Sequence, residues 1–318
     1  MLSLKKTVSD KHRVIVQLNK SGSHNASHSK LTLVQIRATP EITDSCIALD
    51  YNTLQVNKKS STTKILHLPS PKETLKFDCV ANGFDANTKS EMSLMIDQLL
   101  LNHRNCCMIR CVAVLESSAA VLNHLLVCEV DKRLQMAQLT LRSVECEYFD
   151  IRKFDIVNLL GGRHHKSQKF LSTMDLQRWL KGEYQQLVAK CQGHECLDFV
   201  FTFSEKRGVM HQVKFSYMRL IAAKLDSQDK LVLRQSLEDI TIRPRGIQSS
   251  MLLDTLRDYL LPHHEMQIWM FFEVPVQHRP TNSGGDDIMI DMLKFAKAAY
   301  AGFHAYSAGK NGESCCDN

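Results

Sequence analysis

The side chains that could do chemistry are most concentrated in residues 191–196, which read CQGHEC. Thiolate and imidazole groups are common zinc ligands, so Cys191, His194 and Cys196 form a candidate metal site. His211 is a candidate fourth ligand. The spacing of these residues differs from the common finger and ribbon patterns. We therefore favour the alternative, a polar loop whose thiols bind nothing, and predict no resident metal.

No other pattern indicates a catalytic site. The sequence contains none of the motifs G-x-S-x-G, H-E-x-x-H and G-x-G-x-x-G, and it has no paired C-x-x-C. The histidine pairs at 164–165 and 263–264 are interpreted as solvated turn residues. Cys106, Cys107 and Cys111 lie in an apolar run, where a thiol is normally buried and unreactive. We predict no catalytic residue.

The composition is that of a globular chain with a modest basic excess. It has 318 residues, 44% of them hydrophobic, which is enough to bury a large core. Lys and Arg outnumber Asp and Glu by 40 to 34, well short of the dense basic stripe of a nucleic-acid-binding protein. The most apolar segment, 106–130, is interrupted by Arg110, Glu116 and Glu129, which is not typical of a membrane span. We expect no nucleic-acid partner and no membrane partner.

The 11 cysteines are expected to be free thiols. The first residues, MLSLKKTVSDKH, do not form the apolar core of a secretory signal. A reducing compartment follows from that interpretation, so we predict a cytoplasmic protein without disulfides.

The hydrophobic pattern alternates between strand and helix along the chain. Strands are predicted from short apolar or alternating runs, and helices from apolar residues three and four positions apart. The predicted strands are 13–18, 106–115, 141–151, 197–203, 213–220 and 267–276. The predicted helices are 89–101, 119–126 capped by Ser117, 173–191, 228–240, 250–261 and 286–303. This alternation indicates an α/β protein, a three-layer αβα sandwich with a central mixed sheet.

Several segments resemble the kinesin motor domain family. Residues 250–260 (SMLLDTLRDYL) are similar to the kinesin pattern S-K-L-T-x-L-L-x-D-S-L, and residues 292–299 (MLKFAKAA) to L-R-F-A-x-x-A-K. Residues 231–240 (LVLRQSLEDI) resemble I-N-x-S-L-x-x-L, and residues 149–160 (FDIRKFDIVNLL) resemble L-E-I-Y-N-E-x-I-x-D-L-L. Residues 77–80 (FDCV) match the F-D-x-V strand upstream of the phosphate-binding loop. Since the order is that of the family, the resemblance implies a kinesin motor-like, P-loop NTPase-like fold.

The resemblance also implies how the chain is divided. One kinesin motor-like domain is expected over residues 13–303, preceded by an N-terminal extension, 1–12. The remaining residues, 304–318, are predicted to form a disordered tail because they contain Gly309 and Gly312 and lack an apolar face.

At the place where the family has its phosphate-binding loop, the residues do not suit a phosphate. Such a loop needs glycines that free backbone amides, a lysine for the phosphates and a Ser or Thr for Mg²⁺. Aligned on the segment that starts at Asn105, its positions fall on Val112, Ala113, Val114, Leu115, Glu116, Ser117, Ser118 and Ala119. Both glycines and the lysine are missing, and Glu116 would repel a phosphate. The apolar side chains expected to fill the volume of a nucleotide are Val112, Val114, Leu115, Ala119 and Val121.

Three further nucleotide-binding elements of the family are absent from their expected places. The switch I pattern N-x-x-S-S-R-S-H falls on residues 191–198, which read CQGHECLD. The switch II pattern D-x-x-G-x-E falls on 219–224, which read RLIAAK, and the adenine-side R-x-R-P on 17–20, which read QLNK. We predict no cofactor and no ATP hydrolysis. ATP and Mg²⁺ would be cofactors only under the alternative of an ATP-dependent motor.

The resemblance also places a surface for tubulin. In kinesins the helix, loop and helix before the last strand contact tubulin, whose surface is acidic. The same region here carries the cations Lys230, Arg234, Arg243, Arg245 and Arg257. They suit salt-sensitive contacts with carboxylates. The alternative is an ordinary solvated face of mixed charge.

Together these features imply a degenerate kinesin-like protein of the cytoplasm and cytoskeleton that binds microtubules or assists an active kinesin subunit without hydrolysing ATP. Two alternatives stay open: an ATP-dependent microtubule motor, and an interaction scaffold that keeps only the fold. Kinesin-like subunits that assist a motor join it through coiled coils, and no heptad run occurs here.

Overall fold

The computed structural model describes residues 30–37, 46–48, 53–57, 72–82, 85–114, 116–161, 167–239, 250–260, 266–275 and 285–313. The strands in these ranges are β1 (Lys30–Arg37), β2 (Cys46–Ala48), β3 (Thr53–Asn57), β4 (Lys72–Lys76), β5 (Cys79–Asn82), β6 (Asn105–Val112), β7 (Thr140–Ile151), β8 (Ile156–Asn158), β9 (Gln168–Phe170), β10 (His194–Ser204), β11 (Met210–Ile221) and β12 (Met266–Pro275). The helices are α1 (Ala86–Leu100), α2 (Ala119–Asn123), α3 (Val130–Ala137), α4 (Thr173–Lys181), α5 (Glu183–Lys190), α6 (Ser227–Glu238), α7 (Met251–Leu260) and α8 (Gly285–Glu313). A π-helical segment, His124–Glu129, joins α2 to α3, and a 3₁₀ turn, Ala222–Lys224, follows β11. In the part of the chain described, every helix is too short or too polar to cross a membrane.

The main sheet is mixed. Its strand order is β5-β1-β12-β6-β11-β10-β7-β8, and β9 also pairs with β7. All pairs from β5 to β11 are parallel, whereas β10 runs antiparallel to β11 and β7. Strands β2, β3 and β4 form a separate antiparallel sheet. Strand β6 is at the centre and is buried from its second residue onwards, which confirms the predicted central strand.

Helices cover both faces of the main sheet. On β6, Cys107, Ile109 and Cys111 face one apolar cluster, to which α6, α7 and α8 contribute their buried sides. Cys106 and Met108 face a second cluster, which contains the buried sides of α1, of the α2–α3 segment, and of α4 and α5. Alternate residues of a strand point to opposite faces, so β6 packs against both helical layers. The predicted three-layer αβα sandwich is confirmed.

Helix α1 illustrates how local sequence sets the boundaries of an element. The Asp85 carboxylate accepts a hydrogen bond from the Thr88 amide at 3.0 Å and caps the helix. At the other end, the Arg104 amide donates to the Gln98 carbonyl at 3.0 Å. This hydrogen bond ends the helix and places His103 in the left-handed region, with φ of 52°. The chain then enters β6 directly, so the end of α1 determines where His103 lies.

The first described strand of the main sheet was not predicted. Strand β1, Lys30–Arg37, pairs with β12 and β5. The predicted strand 13–18 and the adenine-side assignment to residues 17–20 both lie outside the described residues.

Two other boundaries also differ from prediction. The predicted helix 173–191 is split into α4 and α5 at Gly182, whose φ of −113° and ψ of −93° are not helical. Helix α8 extends ten residues beyond the predicted end at 303, so most of the expected disordered tail is helical. Within the helix, Gly302 lies close to α6, since a Cβ there would be 2.0 Å from the Leu237 carbonyl oxygen. Residues 314–318 lie outside the described ranges.

Candidate functional site

The segment after β6 has the strand–loop–helix arrangement of a phosphate loop. Val112 is the last residue of β6 and Ala119 is the first of α2. Ser117 Oγ accepts from the Ala119 amide at 3.3 Å, but the N-cap residue of α2 is Ser118, which makes no side-chain cap hydrogen bond, rather than the predicted Ser117. Ser118 is fully buried. The loop thus lies at the carboxyl ends of the parallel strands, where α/β proteins bind ligands.

Apolar filling of this place, as predicted, is only partly found. Val112 is buried, and Ala119 and Val121 are half-buried. Val114, however, is 53% exposed, so the expectation is wrong for it. Leu115 lies outside the described residues. The volume beneath the loop is occupied mainly by charged and phenolic groups.

Arg110 is at the centre of this polar group. Its Nε donates to Glu273 Oε1 on the neighbouring strand β12 at 2.6 Å, and its Nη2 contacts the same oxygen. Its Nη1 donates to the Tyr217 hydroxyl at 2.9 Å and to Ser118 Oγ at 3.2 Å. Arg110 and Glu273 are both buried. A charge pair this deep depends on mutual compensation, because neither charge is solvated.

Ser118 links Arg110 to a second carboxylate. The Tyr217 hydroxyl donates to Ser118 Oγ at 2.5 Å, and Ser118 Oγ in turn lies 3.5 Å from Glu195 Oε2. The hydroxyls of Tyr148 and Tyr184 each donate to Glu195 Oε1 at 2.7 Å. Glu195 and these tyrosines are buried. The phenols thus satisfy a carboxylate that water does not reach.

Arg219 supplies the second positive charge. Its Nη2 lies 3.0 Å from Glu195 Oε2, and both side chains are buried. None of its guanidinium nitrogens has a hydrogen-bond partner among the described residues, so the contact with Glu195 is close but poorly aligned. Charge rather than hydrogen bonding therefore holds Arg219. We call Arg110, Ser118, Tyr148, Tyr184, Glu195, Tyr217, Arg219 and Glu273 the charge network.

The charge network is electrically balanced. Burial alone would lower the pKa of Arg110, but Tyr217 and Glu273 raise it above its ordinary value. Burial would also lower the pKa of Arg219, but Glu195 together with Tyr217, Tyr184 and Tyr148 raises it above its ordinary value. Burial and Glu195 raise the pKa of Tyr148, which keeps its proton. Two guanidinium groups therefore face two carboxylates, and no external counterion is needed.

Residues 191–193, at the switch I position, are held by a buried carboxylate. Asp150, near the end of β7, accepts from the Gly193 amide at 2.6 Å and from the Gln192 amide at 3.1 Å. It also accepts from Arg152 Nε at 2.9 Å and contacts Cys191 Sγ at 3.3 Å. Burial would raise the pKa of Asp150, but hydrogen bonds from Arg152 and the two amides hold it below its ordinary value.

The switch II position is tied to the same segment. Lys224 Nζ donates to the carbonyls of Gln192 and Gly193, at 2.5 and 3.0 Å. The Ala223 amide donates to the Ala113 carbonyl at 3.1 Å, which joins the 3₁₀ turn to the loop after β6. The three segments that would surround a nucleotide are therefore bonded to one another.

The proposed zinc ligands do not converge. Cys191 Sγ contacts Asp150, and Cys196 Sγ lies 3.5 Å from the Tyr259 hydroxyl. His194 Nδ1 accepts from the Ile221 amide. The candidates from 191–196 lie at the open end of the β10–β11 hairpin, where Glu195 pairs with Arg219. His211 pairs with Phe203 near the turn at the other end. It is eight residues from Arg219, or about 26 Å along the strand. Among the described residues, the group of ligand atoms that does converge contains none of the three candidates from 191–196.

Burial of His194 predicts a pH effect on stability. Burial, then Lys224, lowers its pKa from 6.5 to about 4. Because the unfolded chain binds the proton first, stability falls as pH drops through this window, by about 3 kcal/mol for this group. Denaturant unfolding at several pH values should show a shallower decline in His194→Gln. His304→Gln, at an exposed histidine, is the control, and equal slopes in all three proteins would contradict the prediction.

The cysteines of the central strand are buried thiols. Burial raises the pKa of Cys111 to about 12 and also raises that of Cys106 and Cys107. The eight cysteines whose side chains are described are all free. This agrees with the prediction of unreactive thiols.

The predicted tubulin-binding cations lie on two helices. Lys230 and Arg234 are on α6 and Arg257 is on α7. Arg243 and Arg245, the tip of the loop between them, lie outside the described residues. The structure therefore places three of the five residues, and their role stays a prediction.

Intramolecular pairs reduce the charge available at this surface. Lys230 Nζ lies 2.8 Å from Asp291 Oδ2, and Arg257 Nη1 lies 3.6 Å from Asp254 Oδ1. The Arg257 side chain is only 11% exposed. Arg234 Nε lies 3.5 Å from Glu238 Oε1, but its side chain is the most exposed of the three, at 41%. Of these three cations, Arg234 is therefore the best placed for contact with a partner.

Sequence analysis missed the charge network, although it left a signal. Arg110 interrupts the apolar run CCMIRCV, and Glu273 interrupts IWMFFEVP. A single charge inside a strand buried on both faces must be compensated. Two such charges of opposite sign predict an ion pair between neighbouring strands, provided that the strand order is known.

Comparison with known proteins identifies solved structures that share this architecture. No protein-family model matches the sequence, and no curated protein matches it. Among solved structures, the motor domain of the Kar3-like kinesin from Ashbya gossypii is 14% identical with a TM-score of 0.61, and the alignment covers 85% of this chain and 99% of that one. The motor domain of Saccharomyces cerevisiae Kar3 is 13% identical, with a TM-score of 0.60 and the same coverage.

A third similar structure contains two related domains. It is the C-terminal motor and motor homology domain of Kar3Vik1, fused to a synthetic heterodimeric coiled coil. It is 14% identical, with a TM-score of 0.60, and the alignment covers 93% of this chain and 95% of that one. At such identities the likeness establishes architecture alone. The chain has the fold of a kinesin motor domain.

Proposed function

We propose that this chain is a kinesin-like protein that does not hydrolyse ATP and that binds microtubules or assists an active motor at the cytoskeleton. The observation that carries the proposal is the charge network beneath the loop 113–118. In a P-loop protein this place receives phosphates and Mg²⁺. Here it holds four ionised side chains that neutralise one another.

Electrostatics oppose phosphate binding at this place. A phosphate would have to take Arg110 or Arg219 away from its carboxylate and leave a buried carboxylate uncompensated. The loop itself offers no glycine-shaped backbone and no lysine, and it carries Glu116. Phosphoryl transfer depends on positioning and charge stabilisation of the phosphates. In this loop no residue positions the phosphates and none stabilises their charge.

The bonds between the switch positions support the same proposal. A nucleotide switch works by ordering loops around the terminal phosphate and releasing them after hydrolysis. Asp150 and Lys224 already hold residues 191–193 without a phosphate. These bonds favour one conformation of the segment in the absence of nucleotide.

Partnership with a motor or a microtubule rests on the fold and on the cationic region. One of the similar structures combines a motor domain with a motor homology domain, which is the arrangement we propose for this chain and an active kinesin. For direct contact with the acidic surface of tubulin, we propose the region of Arg234, Arg243 and Arg245. Lys230 and Arg257 would contribute less, because their side chains are 28% and 11% exposed, against 41% for Arg234.

Nucleotide titration tests the first half of the proposal. Isothermal titration of the full chain with ATP and with ADP, in Mg²⁺, should give no saturable heat, because phosphate binding must break the charge network. A kinesin motor domain with an intact phosphate loop is the positive control. Micromolar binding that requires Mg²⁺ would refute the proposal and support the ATP-dependent motor.

Cosedimentation with taxol-stabilised microtubules tests the second half. The chain should pellet with microtubules, equally with and without nucleotide, and less as salt rises. Arg243→Glu with Arg245→Glu should reduce the pelleted fraction, while Lys169→Glu, at an exposed residue on β9, should not. A chain that stays in the supernatant at low salt, alone and with an active kinesin subunit, would favour the interaction scaffold.

A further inference from the structure

A second polar group lies at the opposite end of the sheet from the charge network. His103 precedes β6, Glu205 follows β10, and His211 is the second residue of β11. One ligand atom from each of the three lies within 4.8 Å of the other two. No residue of this group takes part in the proposed function.

The backbone places Glu205 and His211 firmly. They flank the turn between β10 and β11, in which the Glu205 amide donates to the Val209 carbonyl at 3.0 Å. The Gly208 amide donates to the Glu205 carbonyl at 2.9 Å. Gly208 has a φ of 79°, a backbone conformation that residues with a side chain rarely adopt. His103 approaches from the end of α1. Three separate elements therefore meet at one point.

The distances suit a shared cation. Glu205 Oε1 lies 3.0 Å from His211 Nε2 and 3.9 Å from His103 Nε2. Ligand atoms about 2.0–2.1 Å from a tetrahedral metal are about 3.4 Å apart. The imidazole centroids are 3.8 Å apart, so the rings must separate slightly to share one ion. His103 and Glu205 can move, since their side chains are 34% and 42% exposed.

One feature is left unexplained by an ordinary ion pair. His211 Nε2 is shielded from solvent and makes no hydrogen bond, although Glu205 Oε1 is 3.0 Å away. A metal ion bound by both groups would satisfy this nitrogen.

We propose that His103, Glu205 and His211 bind a divalent transition-metal ion, with Zn²⁺ as the best fit. Two imidazoles and one carboxylate are a donor set that zinc accepts while keeping a fourth position open. Mg²⁺ and Ca²⁺ are disfavoured because they prefer oxygen ligands. A cavity of about 370 Å³ borders the group and is also lined by Lys206 and Arg207. These cations would favour an anionic fourth ligand.

The simpler alternative is an aromatic cluster. The Phe203 ring lies 5.5 Å from that of His211 and 5.7 Å from that of His103, so stacking could hold the histidines without a metal. Stacking does not require Glu205. The two interpretations therefore differ in whether the carboxylate and both imidazoles contribute to binding of an added ion.

Isothermal titration with Zn²⁺ tests the proposal on the full, untagged chain. Accessible thiols are alkylated first, because Cys128 is exposed and thiolates bind zinc. We expect one site that His103→Gln, Glu205→Gln and His211→Gln each weaken by at least tenfold, since loss even of an outer-shell partner costs about 10–100-fold. Excess Mg²⁺ should not compete.

The matched control is His124→Gln. His124 Nε2 lies 3.9 Å from Glu129 Oε1, the same separation as His103 and Glu205, but it belongs to no convergent ligand group in the described residues. Circular dichroism verifies folding, which His103→Gln and Glu205→Gln should retain because both side chains are partly exposed. As a second readout, Zn²⁺ should raise the Tm of the wild type and not that of His103→Gln. Absence of zinc binding by the wild type, or wild-type zinc affinity in His103→Gln and Glu205→Gln, would overturn the proposal.

Discussion

Glu273→Gln is expected to destabilise the protein by about 3–5 kcal/mol, the largest effect of any single substitution considered. The change leaves the buried Arg110 guanidinium without its negative partner. Tyr217 and Ser118 would still accept hydrogen bonds from Arg110, but neither carries charge. Urea unfolding monitored by circular dichroism measures the difference in the free energy of unfolding.

Two further proteins show whether the effect belongs to the buried charge. Arg110→Met with Glu273→Leu removes both charges and should recover most of the loss, because well-packed apolar residues can replace a buried pair. Glu145→Gln breaks the pair with Lys169, in which the lysine and glutamate side chains are 57% and 43% exposed, and should cost at most about 1 kcal/mol. A Glu273→Gln loss no greater than that of Glu145→Gln would show that the network carries no structural role.

Gly193→Ala is expected to cost about 3 kcal/mol or more, because the added methyl group has no room. A Cβ at this position would lie 2.1 Å from the Ile151 carbonyl oxygen and 2.9 Å from Asp150 Oδ1. Backbone cannot yield as a side-chain tip can, so residues 191–193 must move away from Asp150. The hydrogen bonds to Asp150 would then lengthen together.

Two measurements test the Gly193 prediction. Urea unfolding gives the loss of stability, and a thiol reagent reports whether Cys191, buried in the wild type, becomes reactive. Gly161→Ala is the matched control, since Gly161 has a φ of 86° but no atom lies within 4 Å of the place that its new methyl group would occupy, and only backbone strain of about 1–2 kcal/mol is expected. Equal losses of stability in Gly193→Ala and Gly161→Ala, together with an unreactive Cys191 in Gly193→Ala, would show that the backbone at Gly193 has room for a methyl group.

These two sites are the physical basis of the proposal that this motor-like fold does not hydrolyse ATP. In a P-loop protein the ligand supplies charge that holds the surrounding loops in place. Here Arg110, Glu273, Glu195 and Arg219 supply charges of both signs from within the chain, and Asp150 holds the adjacent segment. A fold does not by itself determine an activity, so the proposal rests on these residues and on the titration with nucleotide.

Local sequence was sufficient for most elements. The predicted helices 89–101, 228–240 and 250–261 correspond to α1, α6 and α7 within a few residues, because apolar spacing and capping residues act over a few positions. The predicted strands 197–203 and 213–220 pair as β10 and β11. The absence of lysine and glycine from residues 112–119 is likewise a property of the sequence.

Long-range packing decided the rest. Strand β1 is placed in the sheet by pairing with β12 and β5. Arg110 and Glu273 are 163 residues apart in sequence, and strand order alone makes them neighbours. His103 and His211 meet because α1 and the β10–β11 turn end at the same edge of the sheet. The sequence by itself determined the helices and strands and the absence of lysine and glycine from residues 112–119. Only the tertiary structure decided which distant charges and ligands meet, because such pairing arises from strand order and packing rather than from local periodicity.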